Sequence, residues 1–233
     1  MTAAKNYLYE SIEEYEIDGL KDFDMKFGAA KQIVLSGYSG EKICVRLASD
    51  TLSTLQSDFK VKMDDIKNGI DIEIVRQKGV TEDAAKEAVT ILVQIPSQYI
   101  RKVELGAAAE AVEVHTIDCD SIELNIKAQK VILEDVAGKV EIDCSLDMDV
   151  VCRSIKGEIS INQVSAASKI SIPEGFVFKA VKKGIGTSIS FEKDGKPTEA
   201  YDTPDADNII ELNGMKSELV ISTLEEEVKN NLP

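Results

Sequence analysis

The residues best placed for chemistry in this chain are carboxylates that recur at a fixed step. Glu104, Glu123 and Glu141 each sit between two aliphatic residues, in Val103-Glu-Leu105, Ile122-Glu-Leu124 and Val140-Glu-Ile142. Stacked on adjacent strands, the three backbones would lie ~4.8 Å apart. Two carboxylates at that separation can share a calcium ion, because each Ca–O bond is about 2.4 Å long. With no cation present, their repulsion in water is only about 0.9 kcal/mol per neighbouring pair. Glu104, Glu123 and Glu141 are therefore candidate metal ligands or a contact for a basic partner, and a plain solvated acidic face is the simpler alternative.

Other constellations are weaker. A nucleophile needs a base within hydrogen-bond reach, most often a histidine. The single histidine, His115, falls at an outward position beside Glu134 and Arg153, as a surface ion-pair row would. No G-x-x-x-x-G-K-[ST] phosphate loop occurs, and Asp143, Asp147 and Asp149 do not match a calcium-loop spacing. Among 42 acidic residues no pair stands out for glycoside hydrolysis. Cys44, Cys119, Cys144 and Cys152 form no C-x-x-C pair and read as reduced thiols. The expectation is a protein with no catalytic residues and no cofactor.

The elements that must position these residues are a repeat. Eight phrases begin at Val103, Val112, Ile122, Val131, Val140, Val150, Ile159 and Ile170, at steps of 9, 10, 9, 9, 10, 9 and 11 residues. A further apolar residue follows each of the first seven: Ala108, Ile117, Ile126, Val136, Leu146, Ile155 and Val164. Such a period marks a stacked architecture. An antiparallel meander would need tight turns, yet the connectors hold no Asn-Gly or Asp-Gly. It would also leave the apolar connector residues unexplained, whereas the corners of a β-solenoid need them to plug the interior. The spacing predicts an all-β chain with a β-solenoid of two strands per coil of about 19 residues. Alternate phrases then share a face, which places Ile132 and Val151 side by side on a polar sheet as a candidate contact patch.

Around the repeat at 101–173, residues 31–100 read as strands and a hairpin at Lys67-Asn-Gly69, with one or two helical turns near Thr81–Glu87. Residues 1–30 form an N-terminal segment, open between an acidic helix and an edge strand. Strands return over 174–221, Ile209–Leu212 and Leu219–Ile221 closing the fold, and 222–233 is a short helix or tail. No linker composition interrupts 1–233, so a single domain is expected.

Composition limits the partners. With 27 basic and 42 acidic residues the net charge is −15, which disfavours nucleic acid, whose binding rests on Lys and Arg. Anionic membranes are disfavoured likewise. No apolar run long enough for a membrane span occurs, and the first residues do not read as a secretory signal, so a cytoplasmic location is expected.

Ile91-Leu-Val-Gln-Ile-Pro96, followed by Gly138-Lys-Val-Glu-Ile142 and Gly157-Glu-Ile-Ser-Ile161, resembles the bacterial putative-adhesin family of β-helix proteins. The resemblance spans roughly residues 30 to 221. It implies a non-catalytic binding or scaffold module at the cell surface, with a protein or glycan partner, and it carries over no site residues. Two other readings stand beside it: a self-assembling, homo-oligomeric structural protein, and a carbohydrate-active enzyme on a β-helix.

Overall fold

The computed structural model describes residues 6–224. In chain order the elements begin with β1 (Tyr9–Glu16), β2 (Lys21–Tyr38), β3 (Lys42–Ser49), α1 (Leu55–Asp58), β4 (Phe59–Ile66) and β5 (Gly69–Arg76). Then come α2 (Glu82–Ala88), β6 (Thr90–Pro96), β7 (Ile100–Lys127), β8 (Lys130–Cys144), β9 (Met148–Cys152) and β10 (Ile155–Val164). The last are β11 (Ala167–Ile172), β12 (Lys179–Ile185), β13 (Ser188–Lys193), β14 (Lys196–Thr198), β15 (Ile209–Met215) and β16 (Glu218–Thr223). The chain is all-β, as the pattern predicts, and the described strands join in one 16-stranded sheet.

Repeat phrases two apart pair in parallel. Val112, Val131 and Val150 lie side by side on β7, β8 and β9. Ile122, Val140 and Ile159 do the same on β7, β8 and β10. Parallel neighbours need a long connection between them, and here that connection contains the intervening phrase. The first and third residues of all eight phrases are buried, because alternate side chains of a strand point to opposite faces. One aliphatic cluster runs from Ile17 to Ile221. Cys152 is fully buried within it, and burial pushes its thiol pKa far up, away from the reactive range.

Connector residues Ile117, Ile126 and Val136 point inward as expected, and Ala108 and Ile155 are half-buried. Leu146 and Val164 correct the expectation, being 42% and 56% exposed. Cys144 and Met148, on either side of Leu146, fill the interior in its place. Next to Val164 the buried Gln163 does the same with its polar atoms satisfied. It donates to the Ala166 and Glu218 carbonyls at 3.1 and 3.0 Å and accepts from Ser168 Oγ at 2.7 Å.

The N-terminal region settles as an edge strand, since β1 runs antiparallel to β3. The β4–β5 hairpin forms, but Ile66 pairs with Gly69, so the turn residues are Lys67 and Asn68. Gly69 serves a different need, because a Cβ there would stand 3.2 Å from the Asp22 carbonyl oxygen. Thr81 caps α2 by accepting from the Ala84 N–H at 3.2 Å. Phe176 and Phe178 precede β12 rather than forming a strand. β15 and β16 do not pair with each other: β15 lies between β10 and β12, and β16 between β11 and β13. The end of the tail, 225–233, lies outside the described residues.

Candidate functional site

The register brings acidic residues into line across one face. Glu123 pairs with Glu141, and Glu141 with Ser160. Glu104 pairs with Asp24, Asp24 with Asp71, and Asp71 with Asp64. Asn125, two residues beyond Glu123, donates to Glu104 at 3.3 Å and ties the two halves together. The row is longer than Glu104, Glu123 and Glu141 alone. A cavity of about 460 Å³ opens over it, lined by Asp24, Asp71, Glu104 and Glu123.

Its electrostatics are partly balanced. Lys26 sits 2.7 Å from Asp24, and Lys139 lies 3.8 Å from both Glu141 and Glu158. Asn162 donates to Glu141 at 2.7 Å. At the edge of the row Arg101 grips Asp22 with two bonds of 2.7 and 2.6 Å, and that guanidinium holds the Asp22 carboxyl below its ordinary pKa. Neighbouring parallel strands present their side chains side by side rather than toward one point. Among the described residues no group of three His, Cys, Asp or Glu side chains is gathered as a metal site requires. Glu104, Glu123 and Glu141 thus form a linear charge array.

On the opposite ladder His115 is the centre of a second network. Its Nε2 lies 2.9 Å from Glu113, its Nδ1 3.2 Å from Glu134, and Arg153 reaches Glu134 at 3.3 Å. Gln32 donates to the other oxygen of Glu113 at 2.6 Å. Both imidazole nitrogens can donate only when the ring is protonated. The Glu113 hydrogen bond accordingly raises the His115 pKa above its ordinary 6.5, and the same bond lowers that of Glu113 below its ordinary 4.5. The histidine's contribution to stability is complete below 6.5 and is lost as pH rises through its raised value. That of Glu113 is present above 4.5 and is lost as pH falls through its lowered value. His115→Gln should therefore cost most stability between about pH 4.5 and pH 6.5, by about 1 kcal/mol, and progressively less as pH rises through the raised pKa of His115. Melting temperatures of the two proteins across that range test this, and a constant difference would contradict it.

Ile132 and Val151 are direct neighbours, as expected, with Glu113 on one side and Ser171 on the other. Ile132 is only 8% exposed and Val151 half-buried, so the pair offers less apolar surface than the pattern implied. The acidic row's extension through Asp24 and Asp71 was open to detection. Phe23-Asp-Met25 and Ile70-Asp-Ile72 share the apolar–acid–apolar form of the repeat phrases, but their irregular spacing hid their place in the same stack. Nothing in the sequence pointed to Gln32 as a partner of Glu113, because that contact depends on register between distant strands, whereas Glu113 and His115 are same-face neighbours two residues apart on β7.

No family model matches the chain, and no curated protein matches it. Similar solved structures do exist. A putative cell adhesion protein from Clostridium sporogenes has 14% identity and a TM-score of 0.45, over 92% of this chain and 99% of its own. A putative adhesin from Bacteroides fragilis has 11% identity and a TM-score of 0.38, over 93% and 98%. A putative lipid binding protein from Parabacteroides distasonis has 10% identity and a TM-score of 0.37, over 94% and 98%. The family that the chain resembles in its Ile91–Pro96 strand and Gly-x-Val/Ile rungs shares the adhesin name with the Bacteroides fragilis structure.

Proposed function

We propose that the chain is a β-solenoid acting as a non-catalytic binding module, whose acidic sheet face docks a basic segment of a partner protein. The solenoid reading is supported by the offsets of 18 and 19 residues between paired phrases, as in Ile122 with Val140 and Val112 with Val131. One observation carries the docking face: Asp64, Asp71, Asp24 and Glu104 sit in register on neighbouring strands, Glu123 and Glu141 do the same, and the Asn125–Glu104 hydrogen bond joins the two runs. A flat array of like charges at ~4.8 Å steps attracts an extended cationic chain more readily than a single ion, and steers its approach. Self-assembly through open edges is the weaker reading. The edge strand β12 carries Lys179, Lys182 and Lys183, and β14 carries Pro197, residues that discourage edge pairing.

The test is calorimetric titration with a lysine-rich peptide, comparing wild type with the Glu104→Gln, Glu123→Gln, Glu141→Gln triple variant. The triple variant should bind about tenfold more weakly or worse, and wild-type affinity should fall steeply with salt. Millimolar calcium should leave the melting temperature unchanged. Equal affinities in the two proteins would overturn the docking face.

A further inference from the structure

We propose that a groove beside the acidic row binds a linear, β-linked glycan that is neutral or carries amines. The groove has a volume of about 800 Å³ and crosses several strands, with α2 contributing Glu82 at its margin. Asn125 lies beside Asp143, Asp143 beside Asn162, and Asn162 beside Asn213, and all four line the groove. The row advances about 14 Å over its three steps of ~4.8 Å, and Lys183 continues it. Two residues along the strands, Val164, Met215 and Ile185 stand in register at 56%, 47% and 78% exposure. The amide row is thus flanked by Glu123 and Glu141 at its Asn125–Asp143 end and by exposed aliphatics at its Asn162–Asn213 end.

Sugar hydroxyls both donate and accept, so a matching surface must do both at each step. A side-chain amide offers two N–H donors and a carbonyl acceptor, and a carboxylate offers acceptors. Asn125 and Asn162 each donate one bond, to Glu104 and Glu141. Those bonds orient the amides and leave a second N–H and the carbonyl for a ligand. The aliphatic track suits the C–H faces of the rings. Gly106, Ala107, Ala108 and Gly214 keep the groove wall low. An extended β-linked chain advances per sugar by roughly one strand spacing of ~4.8 Å and turns over at each step, so alternate units present the same edge two strands apart. A peptide strand would seek the backbone of a sheet edge, whereas Asp143, Asn162 and Asn213 lie on strands already paired on both sides. An acidic glycan would be repelled by Glu123 and Glu141.

This inference deepens the binding reading above and rests on it only in taking the outside of this ladder as the working surface. Calorimetric titration of the full chain with cellohexaose and with chitohexaose tests it. At least one hexasaccharide should bind, about tenfold or more tightly than its disaccharide. The double variant Asp143→Ala, Asn213→Ala should weaken that binding about tenfold or more. If the double variant melts early, Asn213→Ala alone, at an exposed position, should still weaken it severalfold. Ile132→Thr on the other ladder should leave it unchanged. No binding of either hexasaccharide at millimolar concentration overturns the inference, as does binding that the groove variants leave intact. Either failure, with the lysine-rich peptide still bound, would leave the acidic face standing.

Discussion

Gly157→Ala is expected to lower the melting temperature by more than about 10 °C, or to prevent folding outright. Gly157 has φ of +119°, a region that side-chain-bearing residues rarely adopt, at a cost of order 1–3 kcal/mol. Space is the larger obstacle. A Cβ at Gly157 would lie 2.3 Å from the carbonyl oxygen of Gly138, its parallel partner, and neither backbone can yield without breaking the ladder. Gly138 is in the same position one step away, with φ of +115° and the Cys119 carbonyl oxygen 2.0 Å from its missing Cβ. The combined cost approaches the total stability of a typical domain, about 5–15 kcal/mol. Gly28 provides the control, because a Cβ there meets nothing within 4 Å. Gly28→Ala should shift stability by less than about 1 kcal/mol. Similar melting temperatures for the two alanine variants would show that the stacked-glycine corner is wrong.

The second large effect concerns adjacent residues at another corner. Ile126 is buried in the core and Lys127 is exposed. Ile126→Asp would bury a carboxylate with no partner, a loss of several kcal/mol that should leave the chain unfolded or molten at room temperature. Lys127→Asp should change stability by about 0.5 kcal/mol or less. Chemical denaturation of the two variants separates the outcomes, and comparable midpoints would mean that the register at this corner is shifted by one residue.

How much was legible followed from how local the cause is. The alternation of Val112, Val114, Ile122 and Leu124 with polar residues depends only on neighbours along the chain, and it located the buried positions of every phrase. The glycine of Gly157-Glu-Ile-Ser-Ile161 was visible too, though not its stacking on Gly138. Leu146 and Val164 were misplaced because an apolar residue at a bend reads the same whether it plugs the interior or tips the turn. Which it does depends on whether Cys144, Met148 or Gln163 already fills the space. Of the candidate site, the pairing of Glu123 with Glu141 came directly from the period. Asp24 and Asp71 were harder to place, because the strands carrying them join the stack across long, irregular connections. The groove amides were missed since Asn and Asp between strands ordinarily read as turn residues.

The placement of β15 and β16 has a consequence for biosynthesis. β12 and β13 emerge from the ribosome earlier, yet each meets the body of the fold only through a strand made later, β15 or β16. Until residues beyond Ile209 appear, β10 and β11 present bare edges while Lys179–Ile185 waits unattached. In a nascent chain stalled when residue 205 has just cleared the ribosomal exit tunnel, residues 174–205 should therefore be open to protease while the segment before Val164 is already protected. Release of some twenty further residues would then lock both pieces in one step, the last-made strands acting as the wedge.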